Sequence, residues 1–285
     1  MQYIDALGMA SSHEVSFMSS DVVGGIRLEE TILEVSKLSV VRSGNVIIKD
    51  IDLTVRKGEF VGIVGPNGSG KSTFLLAILG ILKPHTGGIL IYNSLPMSRK
   101  LHKRIGWVSQ AASNLPRDIR ITVRELVRLG TLNSSNMFDW SDNGRREKVD
   151  EAIKMTGLKD VENTDIGSLS GGQRQRAVIA RALATEADFI LLDEPLVGID
   201  RDARNSLLRL LDKLCHEQGK TILMVSHDLA AIRQTAHRMI FLEEKIRFDG
   251  PTENFPDLEK LADLRGIEPV HGEGHDHQNN HLKEE

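Results

Sequence analysis

From Thr31 the chain alternates apolar and polar residues in two runs, TILEVSKLSVV and NVIIKDIDLTV, with Ser43-Gly44-Asn45 between them. Successive side chains of a strand point to opposite faces, so each run predicts a strand with one buried face, and the tripeptide predicts a turn. EFVGIVG (59–65) drops the alternation. It is almost continuously apolar and ends in glycine, the pattern of a parallel strand buried on both faces. A helix is expected from Lys71 through Leu82, and ILIY and RIGWVS read as further strands. Residues 1 to about 30 show neither a period of 2 nor one of 3.6 and read as a loose extension.

Residues 111 to 165 carry a different pattern. ITVRELVRLG opens on Thr122 with Glu125 three residues on, a capping box. NGRREKVDEAIKMTGL is a second amphipathic helix, stopped by Gly157. No strong strand pattern lies in this stretch, which therefore reads as a helical insertion. Strands and helices then alternate again: DFILLDEP, a helix over 202–217 closed by Gly219, KTILMVSHD, a short helix, and RMIFLEEKIRFDG. Such alternation predicts an α/β fold with a mainly parallel sheet. After Pro251 the chain becomes charged and runs into HGEGHDHQNNH, which holds His271, His275, His277 and His281.

Size and charge narrow the function classes. At 285 residues and 40% hydrophobic content the chain can bury a large core without disulfide or metal staples. A net charge of −4 gives no reason to expect nucleic acid as a partner. The longest strongly apolar run, FLLAILGIL, is about half the length a membrane-spanning helix needs. The start MQYIDALGMASSHEVSF lacks a basic opening and carries Asp5 and Glu14, so no secretory signal is expected. The single cysteine, Cys215, shares a helical face with Leu207, Leu208, Leu211 and Leu214 and reads as a small buried hydrophobe. A lone cysteine makes no internal disulfide, which fits a reducing compartment.

Candidate chemistry begins at GPNGSGKST, residues 65 to 73, which fits G-x-x-x-x-G-K-[ST]. In Gly65, Pro66, Asn67, Gly68, Ser69 and Gly70 the glycines let the backbone curl until successive N–H groups point at phosphate oxygens. The following helix adds its positive N-terminal end. Lys71 meets the β- and γ-phosphates as a point charge, and Ser72, followed by Thr73, offers a hydroxyl to Mg²⁺. The pattern stands after an apolar strand and before a helix, the context that separates a phosphate loop from a glycine-rich turn. ILLDEP (190–195) supplies two acids at the end of a buried strand, where α/β sheets bind ligands. There Asp193 can hold Mg²⁺ and Glu194 can polarise an attacking water.

With LSGGQ at 169–173, about twenty residues before ILLDEP, the sequence resembles the ATP-binding subunits of ABC transporters. The resemblance covers about residues 31 to 245. It implies a P-loop ATPase cassette with a mainly parallel core sheet, an antiparallel β subdomain and a helical insertion at about 111–175. The domain would span 31–250, after the extension at 1–30 and before a charged, histidine-rich tail at 251–285. It further implies ATP hydrolysis with Mg²⁺. Gln110 in WVSQ looks like the family's glutamine that senses Mg²⁺ and water, His227 in VSHD like its switch histidine, and Asp200 in VGID like its D-loop aspartate. Ser170, Gly171, Gly172 and Gln173 would close on ATP held by a second copy of the chain, head to tail. Where the family has an aromatic residue stacking on adenine, alignment puts Arg42, whose guanidinium plane can also stack, with Val40 or Val41 as alternatives.

The resemblance also implies integral membrane permease subunits, an extracytoplasmic solute-binding protein, and a place on the cytoplasmic face of the membrane. The permease should dock around residues 110 to 130, though SNLPRDIRITVREL also reads as an ordinary exposed loop. The cassette looks most similar to the zinc and manganese uptake type, so the expected cargo is a divalent metal, zinc first, with manganese or iron next. Imidazoles suit zinc, copper and nickel. The four tail histidines are a candidate zinc set, but their spacing matches no closed structural site, and a plain solvated tail reads the same.

Overall fold

Strand β1 (Thr31–Arg42) turns through Ser43 and Gly44, both at positive φ, into β2 (Asn45–Arg56). A computed structural model of the chain describes residues 30–101, 103–110, 120–132, 144–257 and 261. The other edge of β1 pairs with β4 (Thr86–Ile91), giving a three-stranded antiparallel sheet in the order β2-β1-β4. The apolar residues picked out by the alternation, Ile32, Leu33, Val35 and Leu38 among them, are buried.

The second sheet has six strands in the order β5-β6-β7-β3-β8-β9. These are β3 (Phe60–Val64), β5 (Ile105–Val108), β6 (Phe189–Asp193), β7 (Thr221–Val225), β8 (Arg238–Glu243) and β9 (Lys245–Pro251). All neighbours are parallel except β8 and β9. Every residue of β3, β6 and β7 is buried. The period of two sorts them between two cores. Phe60, Val64, Ile190, Leu192, Ile222 and Met224 join the core under the helices. Val61, Ile63, Phe189, Leu191, Leu223 and Val225 join the core shared with the antiparallel sheet.

Helix α1 (Lys71–Ile78) follows β3 and is shorter than its apolar pattern suggests. Gly80 takes φ 72°, its N–H donates to Ala77 O at 2.9 Å, and the Ile81 N–H donates to Leu76 O at 2.9 Å. A left-handed glycine thus stops the helix four residues before Leu82. In the stretch read as an insertion, α2 (Val123–Leu129) begins with the expected capping box of Thr122 and Glu125. Then come α3 (Arg145–Met155) and the start of α4 (Gly171–Leu183). Among the described residues of 111–165 there is no strand beyond a single bridge between Thr122 and Asp165. Further on lie α5 (Arg201–His216) and α6 (Leu229–Thr235). The run RMIFLEEKIRFDG folds into the β8–β9 hairpin, reversing at Glu244 with φ 57°. Of the permease-docking stretch, residues 111–119 lie outside the described residues, as do the extension before Glu30 and the tail histidines. No helix among the described residues is long and apolar enough to cross a membrane.

Cys215 sits in the helical core as its leucine neighbours imply, with Sγ donating to Gly58 O at 3.2 Å. Burial pushes its thiol up to about 11. Beside it, His237 Nδ1 accepts the Phe60 N–H at 3.2 Å, and His237 Nε2 lies 3.0 Å from His216 Nε2. Because Nδ1 accepts, neutral His237 carries its proton on Nε2 and donates it to His216. Burial first, and His216 second, hold the His237 pKa below the usual histidine value. A folded pKa below the unfolded one gives stability that is full above about pH 6.5 and is lost as pH falls through the folded value. Denaturant midpoints should therefore fall between pH 7.5 and pH 5.5. His237→Asn, whose amide oxygen can take the Phe60 N–H without titrating, should reduce that fall; an unchanged slope would remove His237 from the account.

Candidate active site

The parallel sheet delivers four loops to one edge. β3 ends in the phosphate loop, β5 in Gln110, β6 in Asp193 and Glu194, and β7 in His227. Their side chains meet at one open cleft of about 630 Å³. It is lined by Arg42, Asn67, Gly68, Gly70, Lys71, Ser72, Thr73, Gln110, Glu194 and His227, all candidates from the sequence. Ser43, Ile47 and Val197 also line it and were not singled out. Ser43 and Ile47 flank Arg42 on the β1–β2 hairpin, so the Arg42 alignment was the signal that could have found them. Val40 is buried in the core, and of Val40, Val41 and Arg42 only Arg42 lines the cleft.

The loop's shape needs its glycines. A Cβ on Gly65 would collide with the Leu242 carbonyl and come within 2.9 Å of Ser69 Oγ. Gly70 has φ 97°, and a Cβ there would strike the Ile48 side chain. Gly70 also caps α1 without any side-chain bond. The first N–H groups of the helix are thus left for another acceptor, which an anion can supply. Lys71 is buried, and its Nζ donates to Gly65 O at 2.9 Å and Pro66 O at 2.8 Å. Burial lowers its pKa, while Glu194 and Asp193 oppose that shift.

Ser72 Oγ donates to Asp193 Oδ1 at 3.1 Å. Burial raises the Asp193 pKa and the Ser72 hydroxyl works against it; Glu194 raises it further and Lys71 lowers it. A hydroxyl and a carboxylate side by side are hard oxygen donors and fit Mg²⁺, with Lys71 beside them for phosphate. Glu194 is buried and left-handed at φ 51°, a conformation that costs a non-glycine residue roughly 1–2 kcal/mol. Its N–H still donates to Val225 O at 2.9 Å, so the turn prolongs the β6–β7 pairing by one residue. Its Oε2 lies 2.8 Å from His227 Nδ1 and accepts the His227 N–H at 3.3 Å. The His227 ring is 58% exposed and faces the cleft. A buried carboxylate gripped by a histidine, next to a phosphate loop, can align and polarise a water.

The remaining candidates form a second group outside the cleft lining. Ser170 caps α4, its Oγ accepting the Gln173 N–H at 3.2 Å and its N–H donating to Gln173 Oε1 at 3.0 Å. A Cβ on Gly172 would collide with Ala203, and one on Gly171 would lie 3.0 Å from Gly198 O. Asp200 caps α5 through the Ala203 N–H at 2.9 Å. Ser170 and Asp200 are exposed. Among the described residues no group of three or more histidine, cysteine or acidic side chains is placed to hold a metal ion, and His271, His275, His277 and His281 are outside them.

The chain matches the family described as ABC transporter over residues 48–197. That span holds the phosphate loop, Gln110, LSGGQ, Asp193 and Glu194. The zinc uptake system ATP-binding protein ZurA of Listeria innocua is 36% identical over 240 residues, covering 82% of this chain and 93% of that protein. The manganese transport system ATP-binding protein MntB of Halalkalibacterium halodurans is 35% identical over 231 residues, covering 81% and 90%. Among solved structures, a dimeric ATP-binding cassette in a post-hydrolysis state with ADP and Pi superposes with a TM-score of 0.64 at 32% identity, covering 79% of this chain and 100% of that one.

The glycine geometry is testable. Gly65→Ala should weaken binding of a fluorescent ATP analogue by about tenfold or more, because the loop must shift away from a backbone carbonyl. Unchanged affinity would mean that the loop tolerates the movement and that its glycine is not required by shape.

Proposed function

The chain belongs to the ABC transporter family as an ATP-binding subunit, and from that membership we propose that it hydrolyses ATP to power uptake of a divalent metal, zinc first, through permease subunits on separate chains. The observation that carries the reading is the contact between buried Glu194 and His227 across the cleft that holds Lys71, Ser72 and Gln110. Lys71 neutralises the β- and γ-phosphates once it leaves the loop carbonyls. Ser72 and Asp193 would hold Mg²⁺, with Gln110 reporting on it. When bound, the ion neutralises charge on the phosphate oxygens. Glu194 polarises the water, and His227 fixes Glu194 and reaches the γ-phosphate. Arg42 lies at the cleft wall where a base would stack.

One copy of the chain leaves the cleft open, and its own Ser170 is elsewhere on the surface. We assign Ser170, Gly171, Gly172, Gln173 and Asp200 to closing the cleft of a second copy, head to tail. The uncapped hydroxyl proton of Ser170 and the first N–H groups of α4 are the donors it would bring. The similarity to a cassette solved as a dimer supports that arrangement. On this reading the protein sits at the cytoplasmic face through its permease, served outside by a solute-binding protein, with no nucleic acid involved. Zinc as cargo is supported by the likeness to ZurA, and manganese by the likeness to MntB. The tail histidines are assigned to sensing cytosolic zinc and not to catalysis.

Glu194→Gln should keep ATP-analogue affinity and lose about a hundredfold or more in hydrolysis, the usual size of a lost general-base contribution. Normal turnover in that variant would overturn the role of Glu194. In cells under metal limitation, Glu194→Gln in place of the native chain should lower zinc content selectively. A fall in manganese or iron would change the cargo, and constant metal content would end the metal reading. Removing residues 271–285 should leave basal hydrolysis intact and alter its response to zinc; a collapse of basal hydrolysis would give the tail a structural role instead.

A further inference from the structure

We infer that Arg204 is a positioning residue for His227, acting through Asp228 without touching nucleotide. The inference rests on the roles proposed above for Glu194 and His227. Arg204 stands on α5 in its first turn, its N–H donating to Asp200 O at 2.9 Å. Its Nη1 donates to Asp228 Oδ2 at 2.6 Å, and Asp228 is only 19% exposed. The other carboxylate oxygen is already engaged, with Oδ1 accepting the Ala231 N–H at 3.0 Å to cap α6. The Asp228 N–H donates to Ser226 Oγ at 3.0 Å. Ser226 is fully buried and donates its own N–H to Ile63 O at 3.0 Å, on the strand that leads into the phosphate loop.

His227 therefore sits between two anchored residues. One anchor is the sheet, through Ser226. The other is Asp228, which is shared between α6 and Arg204. The imidazole itself is more than half exposed, so packing does little to hold it, and its position follows from the backbone that carries it. Together these links close a ring. Glu194 runs through residues 195–199 to Asp200; the first turn of α5 leads to Arg204; Arg204 binds Asp228; a peptide bond leads to His227; and His227 returns to Glu194 at 2.8 Å. Only two links of the ring are made between side chains, His227–Glu194 and Arg204–Asp228. The first is at the chemistry. The second lies on the far side of the loop, and Arg204 does not line the cleft. Without Arg204, Asp228 keeps its cap but loses the bond that ties it to α5, so the imidazole is no longer held at one distance from Glu194. Losing about an ångström of alignment slows a positioned reaction without changing how tightly the ground state binds.

The test uses the full chain with Mg–ATP and measures kcat, KM and fluorescent ATP-analogue affinity. Arg204→Met should lower kcat about tenfold while KM and analogue affinity stay within about twofold. Arg204→Lys should recover most of the loss, because the contact uses one guanidinium nitrogen and a single ammonium can replace it. Added to Glu194→Gln, Arg204→Met should slow hydrolysis no further, since both changes act through one ring. An unchanged kcat in Arg204→Met, beside a slow Glu194→Gln, overturns this inference alone. So does a loss that falls equally on nucleotide affinity and is not recovered by lysine, which is what a merely structural residue would give. Normal turnover in Glu194→Gln would remove the reading of the site and this inference with it.

Discussion

The parallel register of β5, β6, β7 and β3 is the constraint on which the cleft depends. Val108 pairs with Leu192, Leu192 with Met224, and Ile63 with Val225. Strands aligned in this way end together, so loops distant in sequence leave the sheet at one edge. Gly65, Gln110, Glu194 and His227 are neighbours because their strands are paired and not because their loops attract one another. Three of these strands, β3, β6 and β7, are buried on both faces, which makes the register costly to shift: a slip of one residue would exchange their two sets of side chains between the two cores.

The same burial sets the electrostatics. Asp193 and Glu194 are adjacent acids in a poorly solvated place, and Lys71 is a cation in the same place. Each would be expensive to bury alone. Asp193 has the Ser72 hydroxyl, Glu194 has the His227 ring, and Lys71 has two loop carbonyls. Those carbonyls are neutral acceptors for a charged ammonium. A phosphate group is the stronger acceptor and can draw the lysine from them. The loop is thereby already folded in the shape that an anion needs.

Much of this was legible in the sequence because its signals are local. The alternation in TILEVSKLSVV, the unbroken run in EFVGIVG and the capping box at Thr122 depend only on neighbours a few residues away. The motifs carried the members of the cleft for the same reason. What the sequence did not carry was set by contacts across the fold or by single dihedral angles. The left-handed turn at Gly80 ended α1 while the apolar pattern continued. The reversal at Glu244 split one apparent run into a hairpin. Ile47 and Val197 line the cleft only because β2 and the loop after β6 come together. The link from Arg204 to Asp228 spans 24 positions and two helices, and no spacing rule points to it.

The contact between Gly172 and Ala203 has a mechanical consequence. A Cβ at position 172 would overlap the alanine, so the start of α4 and the start of α5 meet with no slack. Two bodies without clearance cannot approach further; one must be carried by the other. A tilt of α4 towards α5 would be passed to the first turn of α5 without delay or loss. The helix that begins with Ser170 and the helix capped by Asp200 would then behave as one lever, with its fulcrum on a residue that has no side chain.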